Sequence, residues 1–258
     1  MVVSIVTVCY QAEATLAEAM QSVLAQIPAL PEGWRLEYLV IDGASTDGTL
    51  AIAQSFPLEH VRVVSEPDEG LYDAMNKGVR LATGDVVGIL NADDAYAHDR
   101  VLAEVLDALE RTGADGAYGD LDYVDGQDPT KVVRRWKAGD YVPGAFRRGW
   151  MPPHPTLFLT RRCYADHGLF NVSLRSAADY ELMLRMIHRH RIQLTYLPQT
   201  LVRMRTGGTS NATWGNRWKA HLEDWQAWRL NGYHPSPWTL LAKPLRKLPQ
   251  FMTLENSV

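Results

Sequence analysis

Four β-branched apolar runs, each followed by a segment of helical periodicity, constrain this chain more than any other feature. VVSIVTV (2–8) leads into Leu16, Met20, Val23, Leu24 and Ile27 at helical spacing, LEYLVI (36–41) into a helix near 47–55, VRVV (61–64) into one at 71–82, and DVVGIL (85–90) into one near 99–112. Consecutive β-α units join parallel strands by crossovers, so the expected fold is α/β with helices on both faces of a mostly parallel sheet. In the third helix Leu71, Met75, Val79 and Ala82 are expected to form the apolar stripe, with Asn76, Lys77 and Arg80 on other faces. Beyond residue 112 the pattern changes. Residues 116–136 read as strand and turn, TLFL (156–159), IQLTYL (192–197) and LVRMR (201–205) as strands, and 176–190 as a helix.

In an open sheet of this kind ligands sit just beyond the carboxyl ends of the strands. Polar chemistry collects there: Tyr10 and Gln11 after the first strand, Asp42 in IDGASTDGT after the second, EPDEG (66–70) after the third, and NADD (91–94) after the fourth. The adjacent Asp93 and Asp94 are costly to ionise together unless a cation neutralises them, and hard oxygen ligands suit Mg²⁺ or Mn²⁺. An Asx-rich turn closing the strand is the alternative for NADD, as helix capping is for Thr46 and Asp47. No GxGxxG run follows the first strand, which disfavours a dinucleotide fold.

Charge divides the chain. Residues 1–130 carry 23 acidic against 6 basic side chains (−17), and 131–258 carry 7 against 20 (+13), within an overall −4. The acidic half suits a metal and the basic half an anionic partner such as diphosphate, lipid phosphate or an anionic membrane surface, although two solvated surfaces would look the same. No helix-turn-helix, zinc-finger or RNA-binding signature is present, so nucleic acid is disfavoured. Cys9 and Cys163 lie far apart and without metal-ligand spacing, as suits a reducing compartment. No basic leader and no run of eighteen apolar residues appears, so a cytoplasmic location is expected.

SIVTVCYQAEATL, VIDGASTDGT, EPDEGLYDAMNKGVRLATGD and LNADD, in that order, resemble the donor-binding half of family 2 glycosyltransferases, whose fold is GT-A (Rossmann-like). SAADYELMLRM (176–186) resembles that family's segment holding the catalytic base, and RTGGTS (205–210) its Gly-rich stretch after the last strands. The resemblance implies a GT-A domain over 1–210, with a nucleotide-sugar-binding half (1–112) and an acceptor-side half (113–210), followed by a helical tail (211–258). It implies an inverting, metal-dependent enzyme of the hexosyltransferase class that uses a UDP or GDP sugar and a glycan or lipid-linked acceptor, in polysaccharide assembly.

Residue by residue, Asp94 matches the metal-binding aspartate and Asp93 its neighbour at the nucleoside and metal. Asn91, in the same segment, goes with the nucleotide-sugar. Asp42 matches the residue that reads the base, and Tyr10 an aromatic beside the base, with a core tyrosine as the alternative. Asp73, Asn76 and Lys77 fall near the same pocket, or on a solvated helix face. Asp179 matches the catalytic base, with stabilisation of a helix N-terminus as the alternative. His154, in RRGWMPPHPTLFLTRR, is a candidate for the acceptor, a phosphate or the metal, or else a structural hydrogen-bonding residue. Gly207 and Gly208 are candidates for a loop closing on the phosphates. The C-terminal histidine that many GT-A enzymes give the metal has no match in RTGGTS. Two other functions stay open: a sugar-phosphate nucleotidyltransferase, which would release pyrophosphate, and a non-catalytic nucleotide-sugar-binding module.

Five of the eight tryptophans lie in the tail, at 214, 218, 225, 228 and 238, with WTLLAKPLRKLPQFM at its end. Tryptophan mixed with Lys and Arg suits a peripheral position on the inner face of a membrane. A helix packed on the core, with Trp214, Trp218 and Trp225 on one side, is the alternative.

Overall fold

The computed structural model describes all residues except 58, 208–213, 237, 240–245, 247–249 and 251–258, and gives backbone only over 214–221. Gly208 and most of WTLLAKPLRKLPQFM therefore lie outside the described residues, as do the side chains of Trp214 and Trp218.

Strands β1 (Val2–Cys9), β2 (Arg35–Asp42), β3 (Val61–Ser65) and β4 (Val86–Ile89) pair in parallel in the order β3-β2-β1-β4. Alternation along β1 feeds two cores. Val3 and Ile5 pack with Leu16, Met20 and Val23 of α1 (Leu16–Leu24) and with α4 (Val101–Thr112) on one face. Val6 and Val8 pack with Met75 and Val79 of α3 (Leu71–Leu81) on the other. The short helix α2 (Thr49–Gln54) joins β2 to β3.

The second half extends the same sheet differently. The remaining strands are β5 (Asp94–Tyr96), β6 (Gly116–Val124), β7 (Val132–Trp136), β8 (Phe158–Thr160) and β9 (Leu194–Arg205). The sheet continues β4-β8-β6-β9-β5, with β7 pairing β6. Here only β6–β9 is parallel, and β4–β8, β6–β8, β6–β7 and β5–β9 are antiparallel. The parallel sheet read from the sequence is thus a description of the first half, with a mixed extension beyond it.

Several local expectations change. In α3 Leu71 is exposed while Tyr72 and Asn76 are buried, because the helix turns its Tyr72–Met75–Asn76–Val79 face to the sheet. IQLTYL and LVRMR are one strand, β9, whose pairing with β6 shifts register around Asp120, opposite the Pro198 region. The helix expected over 176–190 is α6 (Ala178–Met183) continuing as a π-helical stretch (Leu184–Arg189). Leu182, Met183 and Met186 are buried in it as expected. RRCYADH forms α5 (Arg161–His167), which periodicity did not reveal.

The last helix, α7 (Trp214–Leu230), packs its C-terminal half onto α6. Trp228 is 0% exposed and donates from Nε1 to Tyr180 Oη at 2.9 Å, and Asn231 Nδ2 donates to Glu181 Oε1 at 3.0 Å. Glu223 accepts from the backbone N–H groups of Ser176 (2.6 Å) and Ala177 (3.0 Å), just ahead of α6, where helical N–H groups lack partners within the helix. Trp228, rather than the exposed Trp225, is the anchor.

Candidate active site

Asp94 begins β5, immediately after a turn in which its N–H donates to Asn91 O at 3.1 Å. Its side chain is 1% exposed, and Oδ2 accepts from Asn91 Nδ2 at 3.1 Å. The other oxygen, Oδ1, and Asn91 Oδ1 are buried without a hydrogen-bond partner. Burial, and then the charge of Asp93, hold the Asp94 carboxyl well above the usual carboxylate range, against the hydrogen bond from Asn91 and the charge of Arg205. Burial also raises Asp93, opposed by its own backbone N–H and by Arg205. Two crowded carboxylates and an orphaned buried oxygen match, in oxygen chemistry, part of what a hard divalent cation takes. Among the described residues no group of three or more His, Cys, Asp or Glu could hold a metal ion, so side chains of these types would fill only part of a coordination sphere.

The sheet joins Asp94 to strands of the second half of the chain. Asp94 pairs with Met204 of β9, and Met204 with Tyr123 of β6, so the three lie in one row across three strands. Directly paired residues point to the same face. Burial raises the Tyr123 phenol, Arg134 opposes that rise, and the charges of both Asp94 and Asp179 add to it.

Asp179 sits in the first turn of α6, half-buried. Oδ1 accepts from Tyr72 Oη of α3 at 3.0 Å and from the Tyr180 N–H at 2.7 Å. Phe170 backs this arrangement, stacked on Tyr72 at 5.7 Å and meeting His154 edge-on at 5.4 Å. His154 is buried, and burial pushes its imidazole below the usual range although the charge of Asp179 pulls it back. A hydroxyl donor and a backbone N–H thus hold one oxygen of this carboxylate, an arrangement suited to leaving the other as a proton acceptor.

At the ends of β1–β3, Tyr10 is 65% exposed and fits a stacking surface. A Cβ at Gly43 would meet Asp68 Oδ2 at 2.5 Å and lie 3.4 Å from Tyr10 Cδ2, so a larger residue there would move the Asp68 carboxylate from its place against this turn. Asp42 is wholly buried, and its oxygens accept from Ser45 Oγ (2.5 Å), Ser65 Oγ (2.6 Å) and the Ser45 N–H. The carboxylate expected to read a base is thus occupied in holding the β2 and β3 ends together. Burial and then Asp42 push the nearby Cys9 thiol up to about 12, so it is not a nucleophile at neutral pH.

The three α3 residues separate. Asn76 is 2% exposed, and its amide both donates to Phe170 O and accepts from Phe170 N at 2.9 Å. It clamps α3 to the loop before α6, a structural use of the amide beside the nucleotide contact expected for it. Lys77 Nζ donates to Pro67 O at 2.6 Å and pairs with Glu66 (3.1 Å) and Asp73 (3.7 Å). Asp73 also accepts from the Glu69 N–H at 3.2 Å, so Asp73 and Lys77 brace the loop that presents Asp68. Gly207, at φ +108°, turns the chain just after Arg205, whose guanidinium bonds Glu18 of α1 and Gly126 O.

Sequence reasoning overlooked Tyr72, Asp68, Tyr123 and Arg205. The first two stand in EPDEGLYDAMNKG and Arg205 in RTGGTS, within reach of closer motif reading. Tyr123 carries no local signal.

A family model described as glycosyl transferase family 2 matches residues 4–168. An uncharacterised glycosyltransferase of Mycobacterium tuberculosis is 31% identical over 192 residues, 71% of this chain and 68% of that one. A PGL/p-HBAD biosynthesis glycosyltransferase of Mycobacterium bovis is 31% identical over 185 residues, 68% of each. Among solved structures, S. aureus TarS 1-349 in complex with UDP-GlcNAc is similar at TM-score 0.68 and 17% identity, over 90% of this chain and 65% of that chain, so this chain spans just under two thirds of it. The mannosyltransferase PcManGT from Pyrobaculum calidifontis, in complex with GDP-Man and Mn2+, is similar at TM-score 0.64 and 20% identity, over 97% and 73%.

Proposed function

The chain belongs to glycosyl transferase family 2, and from that premise we propose that it moves a sugar from a nucleoside-diphosphate donor to an acceptor hydroxyl, with inversion, in assembly of a glycan. The observation that supports this reading is the buried Asp94 beside Asp93 at the end of the fourth β-α strand, with one carboxylate oxygen left without a hydrogen-bond partner.

In the proposed reaction the acceptor oxygen attacks the anomeric carbon from the face opposite the diphosphate. The bond from that carbon to the diphosphate oxygen breaks, and its electron pair leaves with the nucleoside diphosphate. Asp179 takes the hydroxyl proton. Tyr72 holds Asp179 by its Oδ1, leaving Oδ2 for the acceptor. Tyr10 stacks on the base while Asp68, at the same turn, accepts a hydrogen bond from it. Asp94, with Asp93 and Asn91 beside it, would hold Mg²⁺ or Mn²⁺, which would supply Lewis-acid neutralisation of the charge that develops on the diphosphate. A UDP or GDP sugar as donor is supported by the UDP-GlcNAc and GDP-Man in the similar structures.

The tail adds a location. No helix among the described residues is long and apolar enough to cross a membrane. Leu222, Trp225, Leu230 and Trp238 are exposed, which suits a peripheral position on an anionic surface near a lipid-linked acceptor. Flotation with anionic liposomes should carry the full chain, and an unbound chain would remove this part of the proposal.

The donor reading is tested by thermal shift with nucleoside diphosphates and their sugars, in Mg²⁺, Mn²⁺ or chelator. One nucleotide should stabilise the protein, and more strongly with metal. Stabilisation by none, or release of pyrophosphate in place of nucleoside diphosphate, would overturn it.

A further inference from the structure

Asp179 lies in a stretch of backbone that its own neighbours do little to fix. The residue at the N-cap of α6 is Ala177, which offers no side-chain acceptor to the amides of the first turn, and no side-chain capping bond forms there. The acceptor comes from the tail instead. One oxygen of Glu223, Oε2, accepts from the N–H of Ser176 at 2.6 Å and from that of Ala177 at 3.0 Å, across 47 and 46 positions of sequence. Both amides stand just ahead of Asp179 in the chain.

Two further bonds from the tail reach α6 on the other side of Asp179. Trp228 Nε1 donates to Tyr180 Oη at 2.9 Å, and Asn231 Nδ2 donates to Glu181 Oε1 at 3.0 Å. The tail therefore holds residues 176, 177, 180 and 181, while the Asp179 carboxylate itself is held by Tyr72 of α3 and the Tyr180 N–H. Of the three anchors Glu223 differs in kind. Trp228 and Asn231 are buried, so they serve the core, and their bonds end on side chains. Glu223 is half-buried and grips backbone amides, and the stiff peptide links leave few soft torsions between them and Asp179. A base works only within hydrogen-bond reach of the proton it takes, and a displacement of about 1 Å can cost about 10²-fold in rate.

We propose that Glu223 is a positioning residue for sugar transfer: by holding the Ser176 and Ala177 amides, the last helix sets where the Asp179 carboxylate stands. This deepens the reading of Asp179 as the base and rests on it. The tail then has a use apart from the peripheral location proposed above, since α7 presents Glu223 and Trp228 to α6 while Leu222, Trp225 and Leu230 are exposed.

The test uses the full chain with Mn²⁺ and the sugar nucleotide that thermal shift selects, and follows release of nucleoside diphosphate with water as the acceptor. Glu223→Ala removes both bonds, whereas Glu223→Gln keeps an accepting oxygen at the same reach and drops the charge. Glu223→Ala should lower kcat about tenfold or more with donor KM within about threefold, and Glu223→Gln should stay near wild type. Added to Asp179→Asn, Glu223→Ala should change kcat by less than about twofold, because the two act as one unit. A second readout needs no turnover: in chains labelled with carbon-13 at tyrosine Cζ, the Tyr72 resonance, assigned with Tyr72→Phe, should move in Glu223→Ala relative to Glu223→Gln as the bond to Asp179 loosens. The rate decides where wild type uses water as acceptor, and the resonance decides where it does not. Glu223→Asp, one methylene shorter, replaces Glu223→Ala if that chain does not fold. No difference between Glu223→Ala and Glu223→Gln, or a loss of equal size in the Asp179→Asn background, overturns the positioning role alone. Wild-type turnover in Asp179→Asn overturns the base and this inference with it.

Discussion

Tyr72 and Asp179, 107 positions apart, are joined by a 3.0 Å hydrogen bond from the phenol of α3 to the carboxylate of α6. The contact ties α3 of the first half of the chain to α6 of the second at the carboxylate proposed to accept the proton. Burial, and next the charge of Asp179, keep the Tyr72 phenol protonated, so it stays a donor across the working pH range. Tyr72→Phe keeps the stacking on Phe170 and removes only the hydrogen bond. Steady-state kinetics should show kcat down by about tenfold, the effect of roughly 1.4 kcal/mol, with donor KM little changed. An unaltered kcat would mean that Asp179 is oriented without Tyr72.

Asp94 sets stability against function. Its folded-state carboxyl is raised by burial and by Asp93 above the unfolded value of about 3.9. The stability linked to its proton is therefore complete below that value and is lost as pH rises through the folded value. At neutral pH the ionised group costs stability. Asp94→Asn should raise Tm at pH 7 in chelator, by about 2–4 °C for each kcal/mol relieved, with the gain shrinking toward pH 4. The same variant should lose the stabilisation that Mg²⁺ or Mn²⁺ gives the wild type. A fall in Tm, or a metal response like that of wild type, would contradict these roles.

Asn76 separates a clamp from a ligand contact. Asn76→Ala strands the N–H and the carbonyl of Phe170 in a buried place, at about 1–3 kcal/mol for each group left unsatisfied. Chemical denaturation should show that loss, while nucleoside-diphosphate affinity measured by calorimetry on the folded protein stays within about threefold, under 1 kcal/mol. Weakened nucleotide binding at unchanged stability would return Asn76 to the donor pocket.

How far such a site is legible in sequence depends on what holds it. Asp93, Asp94 and Asp179 lie in segments that resemble the family's motifs, and the β-α periodicity of the first 112 residues places the ends of β1 to β4 at one edge of the sheet. Tyr123 enters by cross-strand register, which depends on how β6 and β9 pair and leaves no local trace. β5 is three residues long, too short for periodicity to reveal, yet it carries Asp94. In α3 an apolar tally favours Leu71 over Tyr72, but packing turned the helix so that the aromatic with a hydroxyl faces Asp179. Polar residues such as Asp42 and Asn76 have two uses, and only the structure shows their internal partners, Ser45, Ser65 and Phe170.

The division of labour between Asp94 and Asp179 is tested most directly by measuring donor binding and turnover together in Asp179→Asn. Donor affinity should match wild type within about threefold, while turnover falls by about 10²–10⁴. Turnover near that of wild type, with the donor bound as tightly, would contradict Asp179 as the base and with it the two-carboxylate pocket.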